Sequence, residues 1–343
     1  MNTTSRITLA ALLLTRLAIC TTSAEITLDF VTVGNPGNPN DTAPSTGFGA
    51  VSYTYNIGTY EVTLLQYTGF LNAVAQTDTY SLYNPSMGSD LNIKGIVRTG
   101  SSGSYAYSTF GDTARPVTYV SWFDAARFTN WLHNGQPTGL QTAATTENGA
   151  YSLLGATSGI GFTKNGLAQY WIPSENEWYK AAYYQPSAAG GDTDGYWLYP
   201  TKSNSAPGNN IGASANQANF YDGVDYSVTQ NPSQSSSQNY LTAGGSYSAS
   251  ASFYGTYDQG GNVSELNDAV IGSGRGLRGA SWGDDGIILR ANYATDTAPT
   301  TENKGIGFRV ATVPEPSIVV SLMLGLGVLA CHRRQRNQKA LGN

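Results

Sequence analysis

Side chains able to do chemistry are scarce in this 343-residue sequence, which holds 2 Cys and 2 His. Cys20 and Cys331 lie towards the two ends, and of the histidines only His133 falls in the middle of the chain. A thiol nucleophile, a Cys/His zinc module or a disulfide framework therefore lacks raw material there. Carboxylates remain: Glu175 with Glu177, and Asp284 with Asp285. Paired carboxylates serve glycoside hydrolysis as acid and base or nucleophile. The first pair follows Ser174 at the start of a helical pattern, where acids act as caps and meet the positive end of the helix dipole. The second pair reads as a solvated loop. No Gly-rich phosphate loop followed by Lys is present. Arg278, Arg290 and Arg309 read as anchors that tie loops down through carboxylate or carbonyl bonds.

The elements that must position these residues show three helix starts, each with a capping-box pattern. Thr63 to Gln66 opens a segment with Tyr67, Phe70, Leu71 and Val74 on one face. Ser121 to Asp124 opens a second, with Ala125, Ala126, Thr129 and Leu132 aligned. Ser174 to Glu177 opens a third after Pro173, with Trp178, Ala181 and Ala182 facing inward. Elsewhere short extended stretches, Tyr53–Thr59, Val117–Val120 and Gly307–Thr312, sit between Gly- and Asn-rich turns. Long loops run from about 134 to 169 and from 188 to 238. Few helices, short strands and much irregular chain predict an α+β fold. The 40 Gly and 23 Tyr agree with that, since rings supply a core and glycines supply turns. Only 12% of residues are charged and the net charge is −5, so a nucleic-acid partner lacks its electrostatic footprint.

The two ends read differently from the middle. Residues 1–24 carry Arg6, an apolar run broken by Arg16, and Thr22-Ser23-Ala24, the pattern of a secretory signal; an N-terminal membrane anchor is the alternative. The domain itself is expected over 25–312, where 12 basic and 22 acidic residues balance to −10. Residues 313–343 hold Val313-Pro314-Glu315-Pro316, an apolar run from Ile318 to Cys331, and a basic cluster around Arg333, Arg334 and Arg336. The run is short of the roughly 20 residues of a spanning helix, but basic residues after it are the arrangement that keeps a C-terminus cytoplasmic. This combination resembles the PEP-CTERM sorting signal of Gram-negative bacteria. It implies an exosortase partner, transient membrane contact and delivery to the cell surface or extracellular matrix.

Seven ordered landmarks carry a second resemblance, over residues 45–312. They are Y-E-V-T-L-L-Q-Y from Tyr60, P-V-T-Y-V-S-W-F-D-A from Pro116, I-P-S-E-N-E-W-Y-K-A-A from Ile172, A-N-F from Ala218, G-G-N-V-S-E-L from Gly260, R-G-A-S-W from Arg278 and G-F-R-V-A from Gly307. The series resembles the sulfatase-modifying-factor family, the formylglycine-generating enzyme domain. The resemblance implies a variant of the C-type-lectin fold. Its enzymes bind copper through two cysteines shortly after R-G-[GA]-S-[WY], thiolates being the soft ligands Cu(I) prefers. Here residues 283–293 contain no Cys, His or Met, so copper is not expected. The related iron-dependent sulfoxide synthases need a histidine cluster, which His133 alone does not make. Calcium is what the resemblance leaves open, a cation that takes hard oxygen ligands. Gly261, Asn262, Val263 and Glu265 match one family site, and Asn219 and Phe220 match part of another whose remaining ligands fall near Asn239. Ser264 and Leu266 stand where the family usually has aromatics.

Two functional classes follow. One is an exported, non-catalytic binding or structural module, with extracellular polysaccharide or an envelope protein as partner. Its ligand contacts are expected at Trp282, Asp284, Asp285, Arg290, Asn292 and Tyr293, since exposed rings stack on sugar faces; the alternative for Trp282 is a place in the core. The other is a sulfatase-modifying oxidase, or an accessory subunit of one.

Overall fold

The computed structural model describes residues 25–42 and 47–314. The expected leader (1–24) and nearly all of the expected sorting segment lie outside the described residues. Among those described, no helix is long and apolar enough to cross a membrane.

In chain order the elements are β1 (Phe30–Val33), β2 (Tyr55–Gly58), α1 (Leu64–Val74), α2 (Ser86–Ser89), β3 (Ile96–Thr99), β4 (Ala106–Thr109), α3 (Trp122–His133), β5 (Tyr170–Trp171), α4 (Glu175–Tyr183), β6 (Ser264–Ile271), β7 (Gly274–Arg278), β8 (Thr295–Thr297), β9 (Ile306–Phe308) and β10 (Ala311–Thr312). All three expected helices are present, each with both arms of its capping box closed. Thr63, Ser121 and Ser174 accept from the backbone three residues on, while Gln66, Asp124 and Glu177 reach back to the cap. These are local bonds, which is why residue spacing alone predicts them.

The strands form two four-stranded sheets, ordered β1-β2-β10-β5 and β8-β7-β6-β9, and a separate β3-β4 hairpin. β6 pairs antiparallel with β7 and parallel with β9. The stretch Gly307–Thr312, expected as one strand, is divided between β9 of one sheet and β10 of the other. Val117–Val120 is no strand either. Tyr119 adopts φ 59°, a left-handed conformation that breaks an extended run, while Val117 and Val120 still enter the core.

That core is aromatic where α1 and α3 meet the second sheet. Phe70 and Phe128 meet edge to face at 5.3 Å, and Phe128 meets Phe308 of β9 at 5.4 Å. Such pairs add to the burial energy of their area. Long loops between α3 and β5, and between α4 and β6, wrap this base. The architecture is α+β, with few helices, short strands and much irregular chain, as expected.

Candidate functional site

The ends of β6 and β9 carry a knot of buried polar groups. Glu265 and Arg309 are both 0% exposed and form a forked ion pair, Nε to Oε2 and Nη2 to Oε1 at 2.5 Å each. Trp178 Nε1 of α4 also donates to Glu265 Oε2, at 2.7 Å. Arg309 spends its other hydrogens on the carbonyls of Gly58 and Tyr257. One residue thus ties both four-stranded sheets to the loop before β6. Glu61 completes the knot, accepting from Asn262 Nδ2 at 3.2 Å and bordering a cleft of about 210 Å³ with Tyr60, Thr63 and Gln66. Burial, and then the neighbouring Asp258, push Glu61 well above the usual carboxylate range, with Arg309 opposing. Asp258 is itself raised to about 6, chiefly by burial.

Asn219, Gly261 and Asn262, matched on the sequence to two metal sites, meet in one hydrogen-bonded corner. Asn262 N donates to the Asn219 carbonyl at 2.8 Å, and Asn219 Nδ2 donates to Asn262 Oδ1 at 3.1 Å and to the Tyr240 carbonyl at 2.9 Å. The approach needs glycine at 261: its φ is +90°, and a Cβ there would stand 2.3 Å from the Asn219 carbonyl oxygen. Asn262 Oδ1 also accepts from Thr242 N at 3.0 Å. Val263 is buried against Trp282, and Phe220 packs with Tyr199, Ala218, Ala280 and Leu289.

This arrangement does not fit calcium at Asn262 and Glu265. The ion needs free oxygens at 2.3–2.6 Å, whereas both oxygens of Glu265 are held by a buried guanidinium and Asn262 Oδ1 is shared among protein donors. A cation there would also stand beside the positive charge of Arg309. The side chains of Asn262 and Glu265 act here as a structural clamp, and among the described residues no group of three or more His, Cys, Asp or Glu is placed to hold a metal.

The segment after Trp282, where the resemblance implies copper ligands in other members, departs from expectation in detail. Trp282 is 2% exposed and stacks on Tyr240 at 4.9 Å, 13° from parallel, so it belongs to the core and is not a surface contact. Asp284, expected in solvent, accepts from both N and Oγ of Ser281. Asp285 caps the short 3-10 turn Gly286–Leu289 through Ile287 N. Arg290 donates to Tyr199 OH. Asn292 is exposed and Tyr293 is 38% exposed, and Ile287, which sequence reasoning missed, is 54% exposed. The surface left for a ligand is thus Asp285, Ile287, Asn292 and Tyr293. The expected loop anchors hold for two arginines: Arg309 as above, and Arg278, which pairs with Glu175 at 2.6 Å and donates to the carbonyls of Ala291 and Tyr293.

Gly279-Ala280-Ser281-Trp282-Gly283 also spells the G-x-S-x-G pattern of a nucleophile elbow. Ser281 Oγ donates to Asp284, however, and His133, the lone histidine of the described residues, accepts from Gln169 N. Among the described residues no histidine accepts from the serine, and the pattern marks a turn.

A family profile agrees with this architecture. The profile of the sulfatase-modifying factor enzyme 1-like domain matches residues 31–313. Among solved structures, Treponema denticola variable protein 1 is 18% identical over 85% of this chain and 98% of its own, with a TM-score of 0.44. CarF is 20% identical over 84% and 99%, with a TM-score of 0.47. PvdO from Pseudomonas aeruginosa is 17% identical over 84% and 92%, with a TM-score of 0.43. No curated protein matches the chain. With a profile match that spans most of its length, the chain belongs to the sulfatase-modifying factor enzyme 1-like family.

Proposed function

We propose that this chain is a non-catalytic recognition module of its family, exported and sorted to the cell surface or matrix, where it holds extracellular polysaccharide. One observation carries the reading. Residues 283–293 offer no sulfur or imidazole to a soft metal, and their acids are spent on capping turns. Oxidation of a substrate cysteine through copper thiolates has no ligands there. A rigid base bearing loops, with Ile287, Asn292 and Tyr293 turned outward, is a geometry suited to recognition. The Val-Pro-Glu-Pro, apolar and arginine series supports export and an exosortase partner.

The test is co-sedimentation of the purified chain with the producing organism's own extracellular polysaccharide, with calcium and with chelator. Retention under both conditions is expected, because the Asn262 and Glu265 corner is a clamp. Retention only with calcium would return the metal to the account, and no retention in either would overturn the polysaccharide reading.

A further inference from the structure

We propose that the cleft between the N-terminal turn of α3 and the Thr300–Glu302 segment is a subsite for one neutral sugar residue; this rests on the recognition reading above and gives it a place. The cleft has a volume of about 290 Å³, at the small end of ligand pockets, which run roughly 300–1,000 Å³. Its wall includes Tyr80, Phe123, Asp124, Arg127 and Glu302, with hydroxyls from Ser and Thr between them.

Asp124 is the observation that points to a ligand. It is 3% exposed. Its Oδ2 accepts from N and Oγ of Ser121 to close the helix cap, while Oδ1 has no donor among the described residues. That oxygen is not sealed from solvent: it opens onto the cleft and can take a donor from a ligand there. Burial, with Glu302 adding to it, pushes the Asp124 carboxyl up to about 7. Glu302 likewise has one oxygen held by Asn84 and the other without a donor among the described residues. Arg127 supplies the opposite polarity. Glu147 holds its Nε and Nη2, at 2.8 and 2.9 Å, and its Nη1 has no acceptor among the described residues. The guanidinium lies 4.2 Å from the centre of the Tyr80 ring.

Free acceptors, a free donor, hydroxyls and two rings in one small cleft select the ligand class. A sugar hydroxyl both donates and accepts, so it bonds carboxylate and guanidinium together, and bonds to the charged partner are the stronger kind. An aromatic wall suits the apolar face of the sugar ring. Anions are repelled by the two carboxylates. A divalent metal meets a guanidinium in the wall and too few acids, since no metal-holding group occurs among the described residues.

The experiment is calorimetric titration of the full chain with neutral oligosaccharides released from the organism's extracellular polysaccharide, and separately with calcium chloride alone. Variants are Glu302→Gln and Asp124→Asn, with Leu167→Ala, on a 90% exposed side chain, as the remote control. Since Asp124 also caps a helix and its own titration moves stability, Glu302→Gln carries the test, and an unchanged thermal midpoint for Glu302→Gln verifies that it folds. Glu302→Gln is expected to weaken the oligosaccharide by about tenfold, the weight of a charged hydrogen bond, with Leu167→Ala unchanged. Binding by the wild type that Glu302→Gln leaves intact would overturn the subsite and spare the recognition reading. No binding by the wild type would overturn both. A calcium titration signal lost in Glu302→Gln would make the cleft a cation site and overturn the sugar assignment.

Discussion

Glu265→Gln separates a structural ion pair from a metal ligand. Glu265 and Arg309 are fully buried and share two 2.5 Å bonds. Glutamine keeps the shape but removes the charge, leaving a buried guanidinium with no paired carboxylate, met by one amide oxygen and the carbonyls of Gly58, Thr59 and Tyr257. Removing one partner of a buried pair costs about 3–5 kcal/mol. Glu61 and Asp258 lie in the same field, and either can ionise to meet Arg309, which sets the expected loss near the lower end, at about 3 kcal/mol. At about 2 °C per kcal/mol for a domain of this size, the thermal midpoint falls by about 6 °C. Circular dichroism melts of wild type and variant, each with calcium and with chelator, measure it. The fall is expected to be the same in both buffers. Arg309→Met should cost a similar amount, and the double variant less than the sum, because the two side chains act as one unit. A wild type that loses stability in chelator, beside a Glu265→Gln variant that does not respond, would refute the reasoning and make Glu265 a calcium ligand.

Three further outcomes follow from particular contacts. Asp124 is held up to about 7 in the folded state by burial, and then by Glu302, against about 3.9 unfolded; its contribution is therefore full below pH 4 and lost as pH rises through 7. Asp124→Asn, which resembles the protonated acid, should gain on wild type between pH 5 and pH 8 in urea unfolding, by about 2–4 kcal/mol, and an unchanged difference would remove the shift. Gly261→Ala forces a Cβ to within 2.3 Å of the Asn219 carbonyl at φ +90°, and should cost at least about 3 kcal/mol through strain and overpacking; a melt within experimental error of wild type would contradict the corner geometry. Trp282→Ala should lose about 3–5 kcal/mol as a core deletion, whereas Tyr293→Ala should stay within about 0.5 kcal/mol and weaken polysaccharide retention; the reverse pattern would exchange their roles.

The helices were legible in the sequence because a capping box is a bond between residues three apart, as at Ser121 and Asp124. Strand pairing was not. β2 meets β10 at Ile57 and Ala311, and nothing local signals a partner so distant in the chain. The stretch Gly307–Thr312 reads as one strand, yet it changes sheet at Arg309, whose side chain turns in to Glu265. The site divides in the same way. Residue types and landmarks located Asn219, Asn262 and Glu265, but whether their oxygens face a metal or a guanidinium depends on partners brought in by the fold. Glu302 and Tyr80 carry no sequence pattern, and only the fold sets them beside Asp124.

The central claim is that this member of the family does no thiol-copper chemistry. Incubating the purified chain with copper, a reductant, oxygen and a sulfatase peptide bearing the target cysteine, then weighing the peptide by mass spectrometry, tests it most directly. The account predicts a cysteine mass that does not change. Conversion of that cysteine to formylglycine would contradict it.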